Sequence, residues 1–237
     1  AGGNGEGNAL NQLNRPSDVI LDRATDHLLV CDRQNKRVVR WPHHNGTRGE
    51  LILSNIECYG LTMDDRGFLY VSVLDKNEVR RFKVGGSQGT VVAGGNGEGG
   101  RLDQLNSSTY LFVDRDHSLY VSDSNNHRIV KWVEGAKEGK VVAGGNGPGN
   151  DVKQLFNPMG VLVDPMGTVY VADSRNNRIM CWPRERAEGN VVIGASGVGN
   201  VRNQLDSPFG LSFDRHGHLY VVNFGRGTVQ IFELMTS

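Results

Sequence analysis

The sequence predicts an all-β fold, a β-propeller of four-stranded antiparallel blades with five repeats in this chain. Three observations predict it. The triplets Leu28-Leu29-Val30, Leu69-Tyr70-Val71, Leu119-Tyr120-Val121, Val169-Tyr170-Val171 and Leu219-Tyr220-Val221 recur at spacings of 41, 50, 50 and 50 residues. Asp22, Asp64, Asp114, Asp164 and Asp214 precede them in one phase, and Trp41, Phe82, Trp132, Trp182 and Phe232 follow in the same phase. Glycine numbers 32 against 7 prolines, a balance that suits many tight turns between short strands, and no segment sustains a helical 3.6-residue period. A repeat of roughly 40 to 50 residues holding four short strands is the signature of a propeller blade.

The third repeat shows the elements in order. Residues 110–114 are a short apolar strand, 115–118 a turn, 119–123 a second strand and 124–126 a second turn. Residues 128–132 alternate polar and apolar, as a half-buried third strand does; 134–139 are a loop and 140–143 a fourth strand. The repeats fall at about 14–54, 55–95, 106–145, 156–195 and 206–237 of a single propeller domain, 1–237, with 1–13 read as the end of a fourth strand plus a linker. Segments such as Gly94-Gly-Asn-Gly-Glu-Gly99 and Gly144-Gly-Asn-Gly-Pro-Gly149 run on to a Gln-Leu pair between blades, as do Gly2–Gly7 and Gly194–Gly199. The link near Leu51 to Glu57 lacks this insert, which accounts for the one short period. Four copies, with no following Lys and Ser/Thr and no helix, read as linkers rather than phosphate cradles.

Lys+Arg and Asp+Glu both number 26, so charge gives no case for nucleic acid or an anionic membrane. No apolar run approaches the ~20 residues of a membrane span. The stretches of Asp-x-x-Asn-x-Arg type are read chiefly as turn chemistry, with Asp and Asn bonding the backbone and Arg pairing with a carboxylate. His27, His43, His44, His117, His127, His216 and His218 suggest no three-ligand zinc set. Neither a Gly-x-Ser-x-Gly elbow nor a Cys with a His partner is present.

Cys31 ends the second strand of the first repeat and Cys58 opens the first strand of the second. Antiparallel order places both on one face in adjacent blades, so the pair predicts a disulfide; Cys181 has no evident partner. The sequons Asn45-Gly-Thr47 and Asn106-Ser-Ser108 lie in loops, as glycosylation at Asn45 and Asn106 requires, and with the cysteine pair they favour a secreted protein over a cytoplasmic one.

The stretches Asp32-Arg-Gln-Asn-Lys-Arg-Val38, Asp123-Ser-Asn-Asn-His-Arg-Ile129 and Asp173-Ser-Arg-Asn-Asn-Arg-Ile179, with Pro16, Pro158 and Pro208 opening first strands, resemble the NHL repeat. The resemblance covers essentially the whole chain and is closest to invertebrate and microbial NHL proteins with Gly-Gly-Asn-Gly linkers. It implies a ring that is commonly six-bladed, so a sixth blade upstream of Ala1 is expected. The second and fifth repeats depart from the pattern, with Val73 and Asn223 where the third has Asp123. Relatives of this kind bind RNA or proteins, and one related lyase group uses zinc.

The function expected on these grounds is noncovalent: a scaffold recognising a protein, peptide or glycan on one propeller face or at the channel mouth. The residues expected there are Asp32, Arg33, Asp123, Ser124, Asp173, Ser174, Asn223 and Phe224, from the turns after second strands, with Tyr59, Tyr110, Met159 and Phe209 at the starts of first strands. No catalytic residue, metal or cofactor is expected, nucleic acid is disfavoured and the oligomeric state is open. The alternatives are a propeller lyase or hydrolase with a channel metal, and an RNA-binding NHL domain.

Overall fold

A computed structural model of the protein describes residues 1–194 and 204–234. Five antiparallel sheets of sequence-consecutive strands, the blades of a β-propeller, make up almost all of the regular structure. The first blade is β1 (Asp18–Asp22), β2 (His27–Asp32), β3 (Arg37–Pro42) and β4 (Glu50–Ser54); the second is β5 (Cys58–Met63), β6 (Phe68–Val73), β7 (Glu78–Lys83) and β8 (Thr90–Gly94). The third is β9 (Ser108–Val113), β10 (Leu119–Asp123), β11 (Arg128–Trp132) and β12 (Lys140–Gly144). The fourth is β13 (Pro158–Val163), β14 (Val169–Asp173), β15 (Arg178–Trp182) and β16 (Asn190–Ile193). Three strands make the fifth: β17 (Pro208–Phe213), β18 (His218–Asn223) and β19 (Thr228–Glu233). The chain divides into two compact units, residues 1–119 with 132–138 and residues 120–131 with 139–237. Residues 1–13, read from sequence as the end of a fourth strand plus a linker, carry no strand of these sheets but a bridge between Glu6 and Leu13.

In the first unit Leu29, Val38, Leu53, Ile56, Leu61, Leu69, Val71, Val73 and Phe82 are buried together, and Val30, Val39 and Trp41, on the other face of β2 and β3, are buried in a separate cluster. The first strands lie backbone to backbone: a Cβ on Gly60 would meet the Thr109 carbonyl oxygen at 2.3 Å, so β5 can approach β9 only because that residue is glycine. In the second unit Gly160 plays the same part, 2.3 Å from the Phe209 carbonyl oxygen. At each of these starts the ladder slips, between Cys58 and Leu61 and between Pro158 and Val161. In β1 it does not slip: Asp18 stands opposite Cys31 in unbroken register.

The Gly-rich links fold as turns. Asn4 donates its amide to the Asn11 carbonyl and Gln12 returns one to the Asn4 carbonyl, each at 3.0 Å. The pairs Asn96–Gln104 and Asn146–Gln154 repeat the arrangement, and a parallel bridge closes each loop, Glu98 to Leu105 and Pro148 to Leu155. The Gln side chain presses so close to the last glycine that a Cβ on Gly149 would lie 2.1 Å from it. The copy expected at Gly194–Gly199 lies outside the described residues apart from Gly194.

The Asp-x-x-Asn-x-Arg stretches clamp these links. Each Asp ends a second strand, and a single 3₁₀ turn follows, closed by a left-handed residue such as Lys36 (φ 49°) or Asn177 (φ 54°). Asp32 takes the Nε–H of Arg37 at 2.6 Å and Asp173 that of Arg178 at 2.7 Å. The rest of the Arg37 fork donates to the carbonyls of Asn8, Ala9 and Gln12, and that of Arg178 to Asn150, Asp151 and Gln154. Asp123 accepts from Arg128 at 2.6 Å.

These contacts correct the expected surface. Asp32, Asp123, Asp173 and Asn223 are 0% exposed, so none presents a carboxylate or amide to a ligand. The reason is the ion pair itself, since a carboxylate is buried only with its partner. Asn223, where the fifth repeat lacks the Asp, accepts the Asp206 N–H at 2.8 Å and donates to Gln230. Ser124 and Ser174 are buried as well, and Ser124 gives its hydroxyl to the Pro158 carbonyl at 2.6 Å.

Candidate active site

The remaining predicted residues divide between the two units. In the first, Arg33, Tyr59 and Tyr110 come together. Tyr59 follows Cys58 at the start of β5 and Tyr110 lies in β9; their rings meet edge to face at 5.7 Å. The Arg33 guanidinium, from the turn after β2, lies 5.1 Å from the Tyr59 ring centroid, within cation–π range. Glu57 faces Arg33 at 4.0 Å and Lys36 at 3.6 Å.

The group around which they gather was missed in the sequence. Asp18, the first residue of β1, accepts the backbone N–H of Leu61 at 2.8 Å and that of Val19 at 2.9 Å. Although Asp18 retains some open surface, it is recessed, and loss of hydration raises its carboxyl from the ordinary 3.8 to about 7, against the lowering effect of those two bonds. The same burial raises the Tyr59 and Tyr110 phenols, and the Asp18 charge adds to both shifts. A signal was available: in the repeat phase Asp18 and Tyr110 occupy the position held elsewhere by Gly60, Gly160 and Gly210. The cluster thus joins a carboxyl poised between its two states, an aromatic pair and a cation.

In the second unit Phe209 and Phe224 stack in parallel at 4.3 Å, and Phe224 is 62% exposed. Met159 is buried, its carbonyl taking the Ser122 hydroxyl. The unit presents an apolar pair there and no titratable partner that the expected set supplies.

Cys31 and Cys58 form the expected disulfide, with Cα atoms 5.8 Å apart. Cys181 is a free thiol, raised by burial. Asn45 is exposed in the β3–β4 turn at φ 54°, whereas the Asn106 amide donates to Glu98 at 3.0 Å. A cavity of about 510 Å³ in the first unit, lined by Tyr70, Arg81, His117 and Glu134, contains none of the predicted residues. Its Glu134 is taken up by Arg66 and Arg81 at 3.0 and 2.7 Å.

The channel-metal alternative asks for His and carboxylates converging on the starts of the first strands. In the first unit those starts bring Asp18 beside Tyr59 and Tyr110, while Glu57, just ahead of β5, faces Arg33 and Lys36, a donor set without histidine that does not fit a resident zinc. Among the described residues the one grouping of three ligand-type side chains is Asp26, His43 and His44, at the far ends of their strands.

Residues 157–182 match the NHL repeat. That NHL repeat runs from β13 through β15 and contains the Asp173–Arg178 clamp. No curated protein sequence matches the chain. Solved structures are similar in fold. A gluconolactonase from Xanthomonas campestris is 17% identical at a TM-score of 0.70, over 90% of this chain and 71% of its own. A candidate gluconolactonase is 13% identical at 0.67, over 90% and 73%. A streptogramin B lyase is 12% identical at 0.57, over 92% and 68%. These neighbours overturn the expectation of a noncovalent scaffold without catalysis: the enzymes among them favour the propeller-enzyme alternative. At such identity the likeness shows the fold, so the chemistry has to come from the site.

Proposed function

We propose that the protein is a propeller hydrolase that opens a small lactone, with Asp18 as its acid–base group. The observation that carries this reading is the Asp18 carboxyl at about 7, held beside Tyr59 and Tyr110. The choice of lactone takes its support from the two neighbours named for gluconolactone. As carboxylate, Asp18 takes a proton from a water that attacks the lactone carbonyl; as acid, it returns that proton to the ring oxygen as the C–O bond breaks. Water plus lactone gives the hydroxy acid, and Asp18 ends as it began. Tyr59 and Tyr110 form the wall against the ring, and Arg33 draws the carboxylate product. The Cys31–Cys58 disulfide and the exposed Asn45 sequon support secretion as the setting.

The test is ring opening of a panel of aldonolactones, corrected for spontaneous hydrolysis. A general base requires the rate to rise with pH through about 7, matching the Asp18 carboxyl. Asp18→Asn should lower kcat by roughly 10²–10⁴-fold with the fold intact. No turnover across the panel, or full turnover by that variant, sinks the proposal.

A further inference from the structure

The geometry points to a transition-metal site on the first blade, built by Asp26, His43 and His44 and taking zinc or a similar borderline divalent ion. Asp26 belongs to the β1–β2 turn, and the two histidines follow β3. Backbone bonding brings the two turns together before any side chain acts. His27 pairs with Pro42 at the end of the β2–β3 ladder, and the His43 N–H donates to the Asp26 carbonyl at 3.2 Å. Asp26 holds φ 54°, the left-handed conformation that sister turns give to Gly67, Gly167 and Gly217, and this turns its carboxylate towards the histidines.

One ligand atom from each residue lies within 4.8 Å of the other two. His43 Nδ1 is 3.1 Å from Asp26 Oδ1 and His44 Nε2 is 3.9 Å from Asp26 Oδ2. The first distance, to Oδ1, is close to the ~3.3 Å edge of a tetrahedron drawn with zinc–ligand bonds of ~2.0 Å, and the second, to Oδ2, closes to it by a turn of the exposed His44 side chain. Two imidazoles and a carboxylate suit zinc, copper or nickel, whereas calcium wants roughly six to eight oxygens. Three protein ligands leave a position for water. The sister blades do not repeat the set: the second has Gly67, Val84 and Gly85 there, and the fourth Gly167, Arg184 and Glu185. The site is separate from Asp18, which stands at the other end of β1, about 13 Å away at 3.3 Å per residue.

All three side chains are open to solvent, with His44 73% exposed, so their replacement leaves the core untouched. The experiment is calorimetric titration of the full chain with zinc chloride, beside His44→Ala and Asp26→Asn; Asn tolerates the left-handed backbone, so that variant keeps its turn. Copper-loaded protein is read in parallel by electron paramagnetic resonance. One equivalent of zinc is expected, weakened at least tenfold in both variants, with hyperfine structure from two imidazole nitrogens that His44→Ala reduces to one. Absence of saturable zinc binding overturns the site. So does binding unchanged in both variants, as would follow if His216 and His218 held the ion instead.

Discussion

Replacing Asp18 by Asn tests the candidate site without an assumed substrate. The folded protein holds this carboxyl at about 7 against an ordinary 3.8, and at ~1.4 kcal/mol per pH unit that is a penalty of roughly 4 kcal/mol on the ionised form. The folded state binds the proton more tightly than the unfolded chain. Stability is therefore fullest below pH ~4, falls as pH rises to about 7, and is level above it. Asn carries no charge and escapes the penalty, but it has one acceptor oxygen where Asp18 offers two, to Leu61 N–H and Val19 N–H. The lost bond costs about 1–2 kcal/mol, leaving the variant about 2–3 kcal/mol more stable at pH 8 and no more stable at pH 4. Urea denaturation of both proteins at pH 4, 6 and 8 reads this directly. The buried Asp173, also raised by burial, is common to both and cancels in the difference. Parallel stability profiles would show that Asp18 titrates like an ordinary surface carboxyl, and the acid–base role would go with it. A stabilised variant with little turnover is the pattern of a group kept for function at the expense of the fold.

Two further outcomes follow from the buried contacts. Arg178→Met leaves Asp173 at 0% exposure without its cation and releases the linker carbonyls of Asn150, Asp151 and Gln154, so a loss of about 3–5 kcal/mol in denaturant is expected; a loss under ~1 kcal/mol would show that the clamp is dispensable. Reducing the Cys31–Cys58 disulfide, which closes a loop with a sequence separation of 27, should cost about 3–4 kcal/mol by loop entropy. Free thiols at both cysteines in protein never exposed to reductant, found by intact-mass measurement after alkylation, would refute the bridge.

The blade pattern was legible because five copies held one phase. Each strand's apolar face, each turn and the pairing of Cys31 with Cys58 then followed from period-two alternation and antiparallel order. The site was legible only where a side chain stands on the surface. Arg33, Tyr59 and Tyr110 do meet, but Asp32, Asp123 and Asp173, equally polar in sequence, turn inward to their arginines. Polarity alone does not distinguish a rim from a clamp; the Arg five residues after each Asp does. The metal-type grouping was hidden for another reason. Asp26 and His43 are 17 residues apart and meet only through the ladder of β2 and β3, a proximity no local spacing displays.

Departures from the repeat locate function better than its shared residues do. What the blades share is turn, clamp and core, which every repeat needs in order to stack on its neighbours. In the first unit the exceptions converge. Asp18 takes the place of a glycine and stands opposite Cys31, where β5 slips around Gly60. Cys31 is bonded to Cys58, and the strand that Cys58 opens supplies the Leu61 N–H that holds the Asp18 carboxylate. Ser17 spans the same junction, its hydroxyl 2.7 Å from the Tyr59 carbonyl. Each of these changes alone would be a tolerated irregularity of one blade. Together they tie the first blade to β5 beside the Asp18 carboxyl, covalently from β2 through Cys31–Cys58 and by hydrogen bonds from Ser17 and Asp18. If the acid–base role proposed for Asp18 holds, reducing Cys31–Cys58 should lower turnover as well as stability, and unchanged turnover in the reduced, folded protein would separate the bridge from the site.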